Sequence, residues 1–361
     1  MSPSLSVQDA GFLALALLFN TFTAPAVKLT QNPSGGYDYN KYCIYFIAEM
    51  IKLSVAGGWS IWKYQTDREM QRVMRVTQRD ILQYAIPGFV FFAQNNLSFV
   101  ALQHMSNAAF QLLLNMRIVA VALLTVTVLG KSLNKVKWFA IVLLTNGAVQ
   151  YQLSDCSAGG GALKTSAEGL AVMAVIIVCA AGGNVATQLV MQTSMDQPLM
   201  FQNSILYSWG VLLNGFNWWR SVMVSSADAA AVPWFGNLTS SALFLCLFSA
   251  VYGLSISVIL KRFGSLTRTF ISTVAIVFNA VLDWLFFGES LGALEVTTFL
   301  TIFAAIFLFT ILGDEWDKAE RARNELAASL EPPLLKGEAG ALSSSGGGSS
   351  TSSSSSSSAE G

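Results

Sequence analysis

The sequence predicts an all-α membrane protein of ten transmembrane helices, arranged as two inverted five-helix repeats. Three observations predict it. The composition is 53% hydrophobic and only 12% charged, against roughly 25% charged for a soluble domain. Ten apolar runs have the length of about 20 residues that a bilayer span requires. Two stretches of these runs carry matching motifs at matching separations.

A chain this apolar has too little charge to keep its surface in water, so lipid is its expected solvent. The formal net charge is zero, which gives no basic field for nucleic acid. Four cysteines, Cys43, Cys156, Cys179 and Cys246, show no CxxC spacing. They read as small buried hydrophobes and not as metal ligands or a disulfide. His104 is the one histidine, and alone it builds neither a metal site nor a catalytic triad. No cofactor is expected.

In chain order the spans are predicted near 9–28, 42–62, 81–103, 106–129, 136–153, 167–193, 199–223, 240–260, 267–288 and 291–312. The first lacks a basic leader region and a cleavage signal, so it is expected to stay as an anchor. Lys and Arg set the orientation. With the N-terminus in the cytosol, 15 of the 21 fall on the cytosolic side, in the 63–80, 130–137 and 261–268 loops and the tail. Only Lys28, Lys41, Lys164 and Arg220 face the other side, and Lys52 and Arg117 fall inside helices. Both termini are therefore predicted to be cytosolic. The glycosylation sequon Asn237-Leu238-Thr239 falls in a loop that this topology puts in the lumen. A second, Asn96-Leu97-Ser98, is inside a helix. Residues 1–313 read as one membrane domain and 314–361 as a tail. The tail begins as a charged helical extension and is Ser/Gly-rich and disordered from about 337.

The repeat rests on spacing. Asn96-Leu97-Ser98 opens a stretch ending Leu129-Gly130-Lys131-Ser132-Leu133, and Gly253-Leu254-Ser255 opens one ending Phe287-Gly288-Glu289-Ser290-Leu291. Leu97 to Leu133 spans 36 positions and Leu254 to Leu291 spans 37. A five-helix unit has an odd number of crossings, so its two copies must be inverted. Inverted repeats meeting at the midplane are a transporter design, with the substrate at their interface.

Ionisable groups at bilayer depth are expensive unless they pair or line a cavity. Glu49 and Lys52 stand three apart on one helix and can pair, either to fix helix packing or to serve a site. Arg117 falls mid-helix with no neutralising neighbour in sequence. It suits a phosphate, or else tethers helices through a carboxylate such as Glu49. Lys261 reads as an interfacial lysine that the repeat moves toward a cavity-lining position, and Asp283 is unassigned. Around these cations lie Gln94, Asn95, Asn96, Phe110, Gln111, Asn115, Asn203 and Tyr207. Amides at this depth must find partners, and they either cross-link helices or read a ring edge beside an aromatic face. Together with fixed cations they fit a nucleotide diphosphate.

The stretch Gln94-Asn95-Asn96-Leu97, then Ala109-Phe110-Gln111 and Arg117-Ile118, resembles the nucleotide-sugar transporters of the CMP-sialic acid and UDP-galactose group. Members of that group read QNN, A-x-YQ and QLKI in the same register. Glu49-x-x-Lys52 resembles the family's second-helix E-x-x-K. Gly253-Leu254 through Ser257 to Lys261 resembles its eighth-helix GL-x-x-S-x-x-x-K. The resemblance implies a ten-helix fold of the drug/metabolite transporter type. It implies exchange of a cytosolic nucleotide sugar for lumenal nucleoside monophosphate in a Golgi or endoplasmic reticulum membrane. By position it implies that Asn95, Phe110, Gln111, Arg117, Asn203, Tyr207, Ser257 and Lys261 line the cavity, with Glu49 and Lys52 beside them. Three departures stand out. Phe110 replaces the usual tyrosine, Arg117 replaces the usual lysine, and Thr187-Gln188-Leu189-Val190 stands where an acidic F-E-K motif is usual. A pyrimidine nucleotide is expected, with a UDP-sugar favoured.

Two other classes compete. A carrier for another organic anion would share the fold. A membrane glycosyltransferase would need an acidic cluster in lumenal loops, which offer Asp155 and Asp228 but no DxD, so an enzyme is not expected. There is no Walker sequence. The sugar and the oligomeric state stay open, a homodimer included.

Overall fold

The computed structural model describes residues 7–30, 39–105, 107–158, 166–225, 234–235, 238–287 and 292–330. Expectations for the Ser/Gly-rich tail, Asn237, Asp228 and the 288–291 end of the second repeat lie outside these residues. The side chains of Asp155, Cys156 and Asp283 do as well. No strand occurs among the described residues.

The helices are α1 Val7–Lys28, α2 Lys41–Thr66, α3 Arg68–Val73, α4 Gln78–His104, α5 Asn107–Leu114, α6 Arg117–Thr127, α7 Lys135–Ala158, α8 Ala167–Thr193, α9 Leu199–Ser225, α10 Ser240–Arg262, α11 Ser265–Phe287, α12 Ala293–Phe307 and α13 Gly313–Leu330. A π-helical turn, Leu308–Leu312, joins the last two. Helix therefore occupies each of the ten apolar runs. Among the described residues six helices or helix pairs are long and apolar enough to cross a membrane: those over 42–66, 109–127, 167–193, 240–262, 265–282 and the one starting at Ala293. Helices α4, α7 and α9 are 27, 24 and 27 residues long but less apolar. Amides such as Asn95, Asn146, Gln150, Asn203 and Asn214 fall on them.

Local chemistry fixes the ends. Asn40 caps α2 by accepting from the Tyr42 amide at 3.0 Å. Thr77 and Asp80 form a capping box at the start of α4. Thr239 and Ser166 cap α10 and α8. Gly130 and Gly264, with φ of 63° and 92°, provide the left-handed turns after α6 and α10.

The predicted single helix 106–129 is broken. At Asn115 and Met116 the bonds switch to three-residue spacing, from the Asn115 and Met116 amides to the Leu112 and Leu113 carbonyls. The Asn115 side chain leaves its own helix and donates to the Ala148 carbonyl on α7 at 3.4 Å. Arg117 thus opens α6 and is not mid-helix.

The outer surface is rich in large apolar side chains, and several polar side chains lie inside among apolar clusters. Val178, Leu212 and Leu300 are 62–65% exposed, while Gln188, Gln202 and Asn203 are at most 1% exposed. Polar groups kept away from lipid in this way can find partners inside the protein, as a bilayer demands. The closest packed pairs are α2 with α9, α4 with α8 and α7 with α12. Small residues let them approach: Ala56, Ala101, Ala148, Ala181 and Ala305 are almost fully buried. Beyond the apolar end of α12, helix α13 continues outward as the predicted charged extension. It docks on α7 through Lys137, whose ammonium lies 2.7 Å from both Asp314 and Asp317. Asn134 adds bonds to the Gly313 carbonyl at 2.7 Å and to Asp317 at 2.8 Å.

Candidate functional site

Helices α2, α4, α6, α8, α9, α10 and α11 surround a cavity of about 360 Å³, within the usual range for ligand pockets. Its polar lining comes from all seven: Glu49 and Lys52, Gln94 and Asn95, Arg117, Asn184 and Thr187, Asn214, Tyr252 and Ser257, and Arg268. Phe91 and Phe92 supply apolar faces.

The i, i+3 pair on α2 forms: Lys52 Nζ lies 2.5 Å from Glu49 Oε1, with the side chains 12% and 19% exposed. The ammonium also sits 4.6 Å from the centroid of the Tyr207 ring. Tyr207 Oη is 2.9 Å from Ser257 Oγ, and Ser257 donates to the Gly253 carbonyl at 3.2 Å. Two glycines make room. A Cβ on Gly210 would meet the Glu49 carboxylate at 2.5 Å, and one on Gly253 would meet Lys52 Cδ at 2.9 Å. The pair is thus both a packing element between α2, α9 and α10 and part of the cavity wall.

Arg117 and Arg268 line the same cavity from α6 and α11 and stand close enough to repel each other. Among the described residues neither has a carboxylate within salt-bridge distance, because Glu49 is taken by Lys52. The tether of Arg117 to Glu49 is therefore not formed. Tyr252 stands beside Arg268 and donates a hydrogen bond to Asn20 Oδ1 at 3.1 Å. Two guanidiniums that face one cavity, with no carboxylate partner among the described residues, carry the chemistry that suits an anion.

Of the residues predicted for the cavity, Glu49, Lys52, Asn95, Arg117 and Ser257 line it, and Tyr207 stands directly behind Lys52 and Ser257. Four do not. Phe110 is packed in an apolar cluster with Ala101, Met105, Met173 and Ile176. Gln111 is exposed. The break at Asn115 puts both on a short helix separate from Arg117, which undoes the single-helix register. Asn203 is fully buried in the protein. Lys261 donates to the Gln197 carbonyl at 2.6 Å and ties the end of α10 to the α8–α9 connection.

The sequence reading missed Arg268, Asn184, Thr187, Asn214 and Tyr252. Arg268 was assigned to a cytosolic loop. The turn at Gly264 is so short that α11 starts at Ser265, and Arg268 already faces the cavity. Its removal leaves the loop-charge bias intact. Asn184 is 6% exposed, and its side-chain oxygen has no hydrogen-bond partner among the described residues. The signal that could have found Arg268 is its offset of one turn beyond a left-handed glycine.

Residues 10–310 match the nucleotide-sugar transporter family. CMP-sialic acid transporter 2 of Oryza sativa subsp. indica is 23% identical over 303 residues, covering 83% of each chain. A UDP-N-acetylglucosamine/UDP-N-acetylgalactosamine transporter of Caenorhabditis elegans is 28% identical over 243 residues, covering 64% of this chain and 68% of its own. A protein of known crystal structure shares the fold, with a TM-score of 0.61 at 15% identity over 84% of this chain and 97% of its own. The Oryza sativa and Caenorhabditis elegans relatives are named as transporters and not as enzymes. With the match running through nearly every helix that lines the cavity, this multi-pass chain belongs to the nucleotide-sugar transporter family.

Proposed function

We propose that the protein exchanges a cytosolic pyrimidine nucleotide sugar, a UDP-sugar, for lumenal nucleoside monophosphate. The exchange runs by alternating access in a Golgi or endoplasmic reticulum membrane. The observation that carries this reading is the Arg117–Arg268 pair, uncompensated in a polar cavity. Phosphate oxygens accept bidentately from guanidinium forks, and a diphosphate carries the charge to engage two of them. The orphan carbonyl of Asn184 and the amides of Asn95 and Asn214 offer donors and acceptors to a base or sugar. Phe91 and Phe92 offer stacking faces. The relatives' stated substrates share a pyrimidine nucleotide, which supports the ligand class.

The same reading takes the ten helical segments as ten spans, with α1–α7 and α8–α12 as inverted halves and both termini cytosolic. Residues 1–313 form the carrier and 314–361 its tail. Monophosphate and nucleotide sugar share one site in turn, so each drives the other's release and no ATP is needed. Proteoliposomes preloaded with UMP or CMP test this. UDP-sugar uptake is expected to be strongly stimulated by internal UMP. Equal uptake into empty and loaded vesicles overturns exchange, and stimulation by a non-nucleotide anion alone overturns the ligand class.

A further inference from the structure

We propose that Gln188 is a positioning residue that caps α11 from a neighbouring helix and thereby sets Arg268 in the cavity. This rests on the reading of Arg268 as a phosphate contact.

The turn from α10 to α11 is only Phe263 and Gly264. A helix start leaves backbone amides without partners, and a side chain at the cap position usually accepts from one. Gly264 has no side chain to do so, and its φ of 92° closes α10 instead, through its amide bond to the Ile259 carbonyl at 2.9 Å. The Ser265 hydroxyl has no hydrogen-bond partner among the described residues, so it does not cap the helix either.

The acceptor comes from α8. Gln188 Oε1 takes the Ser265 amide at 2.7 Å. Its Nε2 donates to Gln192 Oε1 at 2.9 Å. Gln192 Nε2 in turn reaches the Lys261 carbonyl at 3.0 Å, on the last turn of α10. One pair of glutamines, a turn apart on α8, thus satisfies both helix ends of the turn. Gln188 is 1% exposed, so water cannot replace it. Among the described residues no other side chain accepts from the first-turn amides of α11. Gly264 is required for the same contact, because a Cβ there would lie 2.7 Å from Gln188 Nε2.

Arg268 is the next link. Its amide bonds back to the Gly264 carbonyl at 3.3 Å, so it closes the very turn that Gln188 caps. A frayed first turn would move the guanidinium away from Arg117, and a phosphate gripped by both would lose one. Gln188 lies in the Thr187-Gln188-Leu189-Val190 segment, where the acidic motif of the resembling family is missing. An uncharged amide there accepts from the Ser265 amide and donates to Gln192; a carboxylate would keep the first bond and lose the second.

The test uses the purified full-length protein in detergent, titrated with UMP and CMP and with their nucleosides uridine and cytidine. Gln188→Leu keeps the bulk and loses the acceptor. It is expected to weaken monophosphate binding about tenfold while nucleoside binding stays within about twofold. Gln188→Glu keeps the acceptor and is expected to preserve the monophosphate-to-nucleoside ratio. Gly264→Ala displaces the amide and is expected to lower that ratio as Gln188→Leu does. Equal weakening of both ligands, no weakening, or a Gln188→Glu variant that behaves like Gln188→Leu overturns the proposal. If Gln188→Leu does not fold, Gln188→Glu and Gly264→Ala decide it. Arg268→Ala separates the layers. If it leaves the ratio unchanged, the phosphate reading falls and this inference with it. If it collapses the ratio and Gln188→Leu does not, this inference alone falls.

Discussion

Glu49→Ala strips a largely buried ammonium of its carboxylate. At the observed 2.5 Å separation the gross attraction is about 7 kcal/mol at an effective dielectric of about 20. Much of it offsets the desolvation of both charges, so the gross figure is not the net one. Removing one partner of a buried pair costs about 3–5 kcal/mol, because the other charge stays behind. Lys52 keeps its place over the Tyr207 ring, 4.6 Å from the centroid, which retains about 2 kcal/mol for a desolvated cation. The expected loss for Glu49→Ala is therefore about 3 kcal/mol, at the low end of the range for a buried pair. Glu49→Ala with Lys52→Met removes both charges and keeps the stem, and is expected within about 1 kcal/mol of wild type. Reversible unfolding in mixed detergent micelles of the wild type, both single variants and the double variant gives the coupling directly. A coupling below about 0.5 kcal/mol, the additivity of independent sites, refutes the pair as a packing element.

Two further perturbations follow. Arg117→Ala and Arg268→Ala each remove a charge-assisted contact to phosphate of about 1.5–3 kcal/mol, so UMP affinity is expected to fall by about 10- to 150-fold. Ligand-free melting temperature is expected not to fall, since no carboxylate is left unpaired and a repulsion is relieved; a fall with transport intact would make them structural. At the far end, burial works against the charge of Asp317, and hydrogen bonds from Lys137 and Asn134 outweigh it, holding the carboxyl below its ordinary range. A carboxyl depressed in the folded state stabilises above its unfolded value and loses that as pH falls through the folded one. The stability difference between wild type and Asp317→Asn is thus expected to be constant from neutral pH down to the ordinary value of 3.8 and to shrink only below it. A difference that vanishes by about pH 6 contradicts the sign.

Much of the fold was written locally. Apolar runs of the right length mark helices wherever they occur, and helix spacing alone brought Glu49 to Lys52. The cavity was harder, because its members depend on where helices start and stop. A break of two residues at Asn115 separated Phe110 and Gln111 from Arg117, although the three looked contiguous in sequence. A two-residue turn moved Arg268 from an apparent loop into the wall. Lys261 looked equivalent to a cavity residue, but the Gln197 carbonyl captured it. Asn184 and Thr187 sat in the apolar run of α8, where nothing local distinguishes an inward from an outward face. Such facing is decided by partners distant in sequence, and these leave no trace in spacing.

The alanines at the helix seams turn the usual rules of substitution upside down. In a water-soluble core a larger aliphatic side chain is often absorbed, and the surface tolerates charge. Here Ala122 and Ala148 hold two backbones at close range, so one added isopropyl group would wedge a whole span sideways. Leu212 and Val178, facing outward, would accept almost any oily replacement and reject a charge. A map of tolerated variation around this protein would therefore sort by side-chain volume inside and by polarity outside.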